Sequence, residues 1–374
     1  MRARTSASNR PAVLKFGGST FRSHAAYQDL AAGLDTRIRA EGRPLVVVVS
    51  AMRGETEGLR ERLHEVNPHP QDATAAGLLT TGDLVSAHLL ATALHRAGRS
   101  ATVLAGHQIG LTTNSSFLWA RVTGTDPGPL RRALEQHEVV VVPGGQAADG
   151  QGRPTWLGKN SSDLSALAVA AAVRSDTCEI HSDVDGIYTS DPHLVTGARL
   201  LPHVSYNMAA LMSLHGAKVL HRRAVQLALR HRIEIVLRYN RSPYTVGTRI
   251  GTGGDQMSAV IFNQRSSVLG YADDARADAA HHAFHQAGIE TVRQTGGPWV
   301  AVVGGYVDVD TVQRAHGIEP GRYLGVPVAE VHGSKVTAHI AESGEDALHL
   351  AQRLHDRMDF PFAGHGPQSR LAGV

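Results

Sequence analysis

From about residue 11 the chain alternates short apolar runs with longer amphipathic or alanine-rich ones. Five runs have the length and β-branched content of buried strands: AVLKF (12–16), LVVVVS (45–50), EVVVVP (138–143), TCEIHS (177–182) and IEIVLR (233–238). Between them, apolar positions recur at helical spacing near 24–40, 73–97, 128–136, 163–174, 205–213 and 221–231. Near-continuous apolar strands separated by helical segments predict an α/β domain of roughly 240 residues, because parallel strands need long crossovers that cover both faces of the sheet.

The segment SPYTVGTRIGTGGDQMSA (242–259) is rich in Gly, Ser, Thr and Pro and reads as a boundary. After it the pattern changes to SSVLGYA, a helical ARADAAHHAFHQAG, IETVRQT and WVAVVGGYV, a β-α-β-β order. VPVAEVHG, KVTAHIAE and the helical GEDALHLAQRLHDRM repeat part of it, so one or two small α+β units are expected up to about residue 363. Residues 1–10 and 364–374 are expected to be disordered tails.

Composition narrows the function classes. A length of 374 residues with 42% hydrophobic content suits two or three domains. The +3 formal charge is scattered, which argues against a nucleic-acid stripe. No apolar signal region and no run of about 18 uncharged apolar residues is found, so a soluble, cytoplasmic chain is expected, with no membrane partner. Cys178 is the single cysteine, which excludes an internal disulfide and a cysteine zinc cluster, and the histidines lack an HExxH-type spacing. Of 37 cations only four are lysine: Lys15, Lys159, Lys218 and Lys335. Each lysine in so arginine-rich a chain calls for a reason.

Three stretches carry candidate chemistry. VLKFGGST (13–20) runs from a buried strand into Gly17 and Gly18, whose backbone N–H groups can approach an anion closely while Lys15 aims a positive charge at the same place. As an isolated feature, such a turn is more often structural. HSDVDGIYTSDP (181–192) follows another strand; it is either an Asp-rich turn or, at a strand's carboxyl end, part of a ligand site. LHGAKVLH (214–221) puts Lys218 near a helix start, where the helix dipole disfavours a cation. A fourth stretch, LGKNSSD (157–163), precedes an alanine-rich helix.

Taken together and in order, KFGGST, VVVVSAM, VNPHP with LLTTGDLVSA, VVPGG, LGKNSSDLSALAVAAA, CEIHSDVDGIYTSDP and GAKVLHRRAVQLALRHRIEIVLR resemble the aspartate kinases, members of the amino acid kinase fold. The resemblance covers about residues 11–251, and the region 252–363 is similar to a shortened form of that family's paired ACT regulatory units. It implies MgATP as phosphoryl donor, with Mg2+ held mainly through the ATP phosphates rather than by a protein metal site. It also implies that Lys15, Asp163 and Lys218 are catalytic, Asp163 orienting the two lysines. Gly17, Gly18, Ser19, Ser50, Ser182, Asp183, Tyr188, Asp191 and His193 would then face the nucleotide, and Thr56, Asp83, Lys159, Asn160, Ser161 and Ser162 the amino acid substrate. Ser162 and Asp163 are expected to cap the following helix as well as to belong to the site.

The chain departs from the family pattern mostly at the substrate end. Lys159, Asn160 and Ser161 stand where the family has Arg-Gly-Gly; an ammonium cannot grip a carboxylate bidentately as a guanidinium does. Asp83 replaces a glutamate that meets the substrate ammonium, and His193 replaces an arginine near the phosphates. The resemblance therefore implies an ATP-dependent kinase making 4-phospho-L-aspartate. The altered clamp keeps open a kinase of a different acidic amino acid or dicarboxylate in a specialised pathway, and a third reading is a weakly active ACT-type amino-acid sensor. The ACT-like region implies a homo-oligomer.

Overall fold

The computed structural model describes residues 10–217, 220–254, 256–287, 289–293, 296–303 and 308–360. Lys218 and both expected tails, except for Arg10, lie outside the described residues. The chain divides into two compact units, Met1–Asp185 with Gln226–Arg249, and Gly186–Val225 with Ile250–Val374.

All five strands read from the sequence form the centre of the first unit. Its main sheet runs in the order Ala101–Val103, Val139–Pro143, Leu45–Val49, Ala12–Phe16, Thr177–Ser182, Glu234–Tyr239, and Val246–Gly251 continues it. The first six strands are mutually parallel. Strands on one side of Ala12–Phe16 come from residues up to 143 and those on the other from 177 onward, so the strand order reverses at this strand. In open α/β sheets ligands bind outside the carboxyl ends of the strands at such a reversal.

The strands are continuously apolar because both faces are covered: Leu45 through Val49 and Val139 through Val142 are wholly buried. On one face Leu14, Phe16, Leu30, Leu34, Leu90 and Leu94 pack in one cluster with Leu45, Val47, Val49, Val139 and Val141, bringing in helices Ala25–Glu41 and Thr81–Arg96. The segment Asp72–Arg96 is long and apolar enough to cross a bilayer by length and composition alone. It is two helices meeting at Thr80, it carries Asp83, and its apolar face is built into the core. Helix Glu55–Val66 was not expected: Leu59 is its one buried residue, and Leu63 and Val66 are its other large apolar side chains among mostly charged neighbours. A second sheet of four short strands, 111–113, 122–125, 146–149 and 154–156, was also not expected; its strands are too short to show periodicity.

The second unit holds a five-strand path, Ser258–Phe262, Arg322–His332, Ser267–Gly270, Trp299–Val302, Thr291–Arg293, with Lys335–Ala341 paired to Arg322–His332. Residues 267–332 make one complete β-α-β-β-α-β order with helices Asp274–Gln286 and Val309–His316. Strand Ser258–Phe262 and helix Val309–His316 are additions to the sequence reading. Beyond residue 257 the elements outside this order are Ser258–Phe262, Lys335–Ala341 and helix Gly344–Asp356, an incomplete second half of that region.

Candidate active site

Several of the expected residues gather where the parallel strands of the first unit end. Lys15 is the penultimate residue of its strand, in register with Val48 and Ile180 of the flanking strands. Its Nζ lies 2.8 Å from Asp163 Oδ1, and both side chains are about one-tenth exposed (12% and 10%). A buried cation of this kind is tolerable only beside a carboxylate, because desolvating either charge alone costs several kcal/mol, about 3–5 kcal/mol when one partner is removed.

The chain then turns through Gly17 into a single 3-10 turn, Gly18–Thr20. Gly17 donates its N–H to the carbonyl of His181, and the first amides of the turn have no partner within it. A side chain at Gly18 would bring a Cβ to 2.8 Å from the Ala51 carbonyl oxygen, so only glycine lets these two backbones approach so closely. Asn240, just past the strand Glu234–Tyr239, donates to the hydroxyls of Ser19 (3.0 Å) and Thr20 (3.3 Å). It also donates its N–H to the Ser182 carbonyl, tying three strand ends together. Asn240 was not singled out from the sequence; its one signal is a polar amide at a strand's carboxyl end.

The alanine-rich helix Ser162–Ala172 supplies the opposite wall. Ser50, directly after the second strand, donates to the Ser162 hydroxyl at 2.9 Å. Gly144 makes room for it: a Cβ there would lie 2.5 Å from Ser162 Oγ. The expectation that Ser162 and Asp163 cap this helix is corrected: the cap position is Ser161, which makes no side-chain cap. Ser162 is occupied by Ser50 and Asp163 by Lys15, while Ser161 Oγ donates to the Gly158 carbonyl. Asp163 in the first helical turn still benefits from the positive end of the helix dipole.

At the substrate end of the expected clamp, Asp83 and Lys159 are both engaged within the protein. Asp83, 6% exposed at the start of helix Thr81–Arg96, accepts the Ala51 N–H at 2.9 Å. Burial pushes its carboxyl up to about 7, against the Ala51 amide and the charge of Lys15, which favour ionisation. Lys159 Nζ lies 3.1 Å from Glu57 on helix Glu55–Val66. The Glu57 carboxyl is lowered overall: burial opposes this, while the Lys159 hydrogen bond and charge drive it. Thr56 stands beside Glu57 in the same helix, half-buried. Asn160 adopts φ 59, a left-handed conformation that asparagine tolerates better than most residues.

Beneath the glycine turn lies an ionic group not foreseen from the sequence. Glu179 pairs with Arg37 at 2.7 Å and with Arg238 at 2.7 Å, and this holds its carboxyl far below the usual range despite burial. His181, two residues on, stacks on Phe16 with ring centroids 4.3 Å apart, and burial lowers its pKa. Ser182 donates to Asp183 at the strand's end.

The other nucleotide-side candidates belong to the second unit. Tyr188 is buried in a two-residue strand pairing with 200–201, and Asp191 accepts the His193 N–H at 3.0 Å in the turn that follows. Cys178 is fully buried in the sheet, with its thiol pushed well up by desolvation. Among the described residues, no group of three or more His, Cys, Asp or Glu side chains could hold a metal ion.

The chain is similar in sequence and in fold to known aspartokinases. An aspartokinase of Thermus thermophilus is 38% identical over 253 residues, covering 67% of this chain and 61% of that protein. One of Helicobacter pylori is 37% identical over 238 residues, covering 64% of this chain and 58% of that protein. The chain thus spans about three-fifths of the length of these relatives. Among solved structures, aspartate kinase from Synechocystis is 28% identical with a TM-score of 0.56, over 87% of this chain and 60% of that one. E. coli aspartokinase III, in complex with aspartate and ADP, has a TM-score of 0.71 at 20% identity over 92% of this chain and 99% of that one, a likeness of fold. The amino acid kinase family model matches residues 10–239, which span the strand ends, the glycine turn and the Lys15–Asp163 pair, and the chain belongs to that family.

Proposed function

We propose that this protein is an ATP-dependent kinase that phosphorylates the side-chain carboxylate of L-aspartate to 4-phospho-L-aspartate. The observation that carries the reading is the buried Lys15–Asp163 pair beside the Gly17–Gly18 turn, in a chain of this family. Transfer of a phosphoryl group to a carboxylate needs no covalent protein intermediate; its demands are alignment of two anions and compensation of their charge. Lys15 and the amides of the glycine turn meet the charge demand. Asp163 pairs with Lys15 at 2.8 Å and fixes its direction. On the resemblance, Lys218 completes the catalytic set, and Ser19, Ser50, Ser182, Asp183, Tyr188, Asp191 and His193 face the nucleotide. The substrate is MgATP, the metal entering with the phosphates.

The same proposal assigns residues 11–251 to the kinase domain and 252–363 to an ACT-like region through which the chain forms a homo-oligomer in the cytoplasm. Thr56, Asp83, Lys159, Asn160, Ser161 and Ser162 contact the acidic substrate. A second reading, activation of a different acidic amino acid, is favoured by one observation: both charged ends of the clamp are already engaged, Asp83 by Ala51 and Lys159 by Glu57.

Hydroxylamine trapping of the acyl phosphate with MgATP separates the readings. Hydroxamate with aspartate alone supports the first. Hydroxamate with glutamate, a substituted aspartate or a simple dicarboxylate, and not with aspartate, supports the second. No hydroxamate with any acid rejects the kinase assignment.

A further inference from the structure

The incomplete second half of the C-terminal region packs on a specific partner within its own unit: the turn that carries Asp191 and His193. Thr189, fully buried just before the turn, has its hydroxyl 2.8 Å from His355 Nε2 on helix Gly344–Asp356, and His355 is itself 4% exposed. The Thr189 carbonyl accepts the N–H of Val260 from strand Ser258–Phe262 at 2.7 Å. Just after the turn, Gln352 makes two bonds to one residue: Oε1 accepts the Thr196 N–H at 2.8 Å and Nε2 donates to the Thr196 carbonyl at 3.1 Å. Val195 is buried in a cluster with Val260, Phe262, Val326, Val328 and Leu354. Within the turn, the Asp191 carbonyl accepts the N–H groups of Leu194 and Val195.

The turn is therefore pinned at 189 and at 195–196 by strand Ser258–Phe262 and helix Gly344–Asp356 of this incomplete half. We propose that this remnant serves as a positioning element for the nucleotide turn, with Gln352 and His355 as positioning residues, so that ATP affinity is set from the last helix of the chain. The inference rests on the nucleotide assignment of the turn proposed above. Its physical basis is preorganisation: a loop already held in one conformation does not lose ordering entropy when the ligand arrives, and a released loop does. Two backbone bonds from one glutamine side chain hold a loop's shape with almost no contribution to the core. That makes Gln352 a separable handle.

The experiment uses the full-length chain and its variants Gln352→Ala, His355→Ala and His355→Gln. Readouts are KM for ATP, KM for the acid acceptor, kcat, calorimetric binding of a non-hydrolysable ATP analogue, and the thermal midpoint. In Gln352→Ala, KM for ATP and the analogue Kd should rise about three- to ten-fold, the size expected when a few side chains must be ordered on binding. KM for the acceptor and kcat should stay within about two-fold, the noise of unrelated surface changes. His355→Gln, which can still bond Thr189, should recover most of the affinity lost in His355→Ala. Should His355→Ala fail to fold, Gln352→Ala and His355→Gln still decide the matter. Unchanged analogue binding in Gln352→Ala, or equal shifts for both substrates, overturns the inference. If the unmodified chain binds no analogue, the nucleotide assignment of the turn fails first and the inference falls with it.

Discussion

Replacing Asp83 by asparagine tests the electrostatics of the substrate end without presupposing any substrate. The carboxyl is raised by burial from an ordinary 3.8 to about 7. A group whose folded pKa lies above its unfolded one favours the folded state while protonated. Its contribution is complete below about pH 4 and is lost as pH rises through 7. At about 1.4 kcal/mol per pKa unit, the full loss is about 4 kcal/mol, and the part falling between pH 5 and pH 8 is about 3 kcal/mol. Asparagine keeps an oxygen for the Ala51 N–H at every pH and carries no charge to desolvate. The stability of Asp83→Asn relative to the parent should therefore increase by about 3 kcal/mol from pH 5 to pH 8. Urea unfolding read through Trp119 and Trp156, both in the same unit as Asp83, measures this difference at each pH. Parallel pH curves for the two proteins, with the difference changing by less than about 0.5 kcal/mol, would refute the desolvation argument. If Asp83 also meets a substrate ammonium, KM for the amino acid should fall as pH rises through 7, and this dependence should vanish in Asp83→Asn.

Lys15→Ala should abolish phosphoryl transfer and lower stability by about 3–5 kcal/mol through the unpaired Asp163, while Lys15→Ala with Asp163→Ala recovers stability but not turnover. A single mutant with normal turnover rejects the assignment of Lys15. Gly18→Ala brings a Cβ to 2.8 Å from the Ala51 carbonyl, where no flexible side chain can yield. It should cost about 1–3 kcal/mol in thermal unfolding and reduce kcat, and an unaffected kcat would mean that the turn does not need its close approach. Glu57→Gln releases Lys159 from an exposed ion pair worth at most about 1 kcal/mol, so KM for the acid should fall by up to about five-fold, and less in high salt. An unchanged KM at low salt would show that Glu57 does not compete with substrate for Lys159.

The main sheet was legible from the sequence because its signal is local: LVVVV and VVVVP read as buried strands on composition alone, and both are wholly inside. The glycine turn, the strand-end lysine and the ordered motifs were legible for the same reason, since each depends on residues adjacent in the chain. Helix Glu55–Val66 went unread although Leu59, Leu63 and Val66 stand at helical spacing, because three apolar residues among charged ones make a weak signal and only Leu59 is buried. Helical propensity could say that a cap is favoured near 161–163 but not that every side chain there would be engaged elsewhere. Ser50, just past a strand more than one hundred residues earlier, takes up Ser162. Pairings of this kind, Lys15 with Asp163, Lys159 with Glu57, Glu179 with Arg37 and Arg238, are decided by which strands, helices and loops become neighbours. The sequence by itself determined the central strands and most of their helices, the parallel sheet and the family. Only the tertiary structure decided which charges meet and which are spent on one another, because Coulomb and hydrogen-bond energies depend on distances that local patterning does not encode.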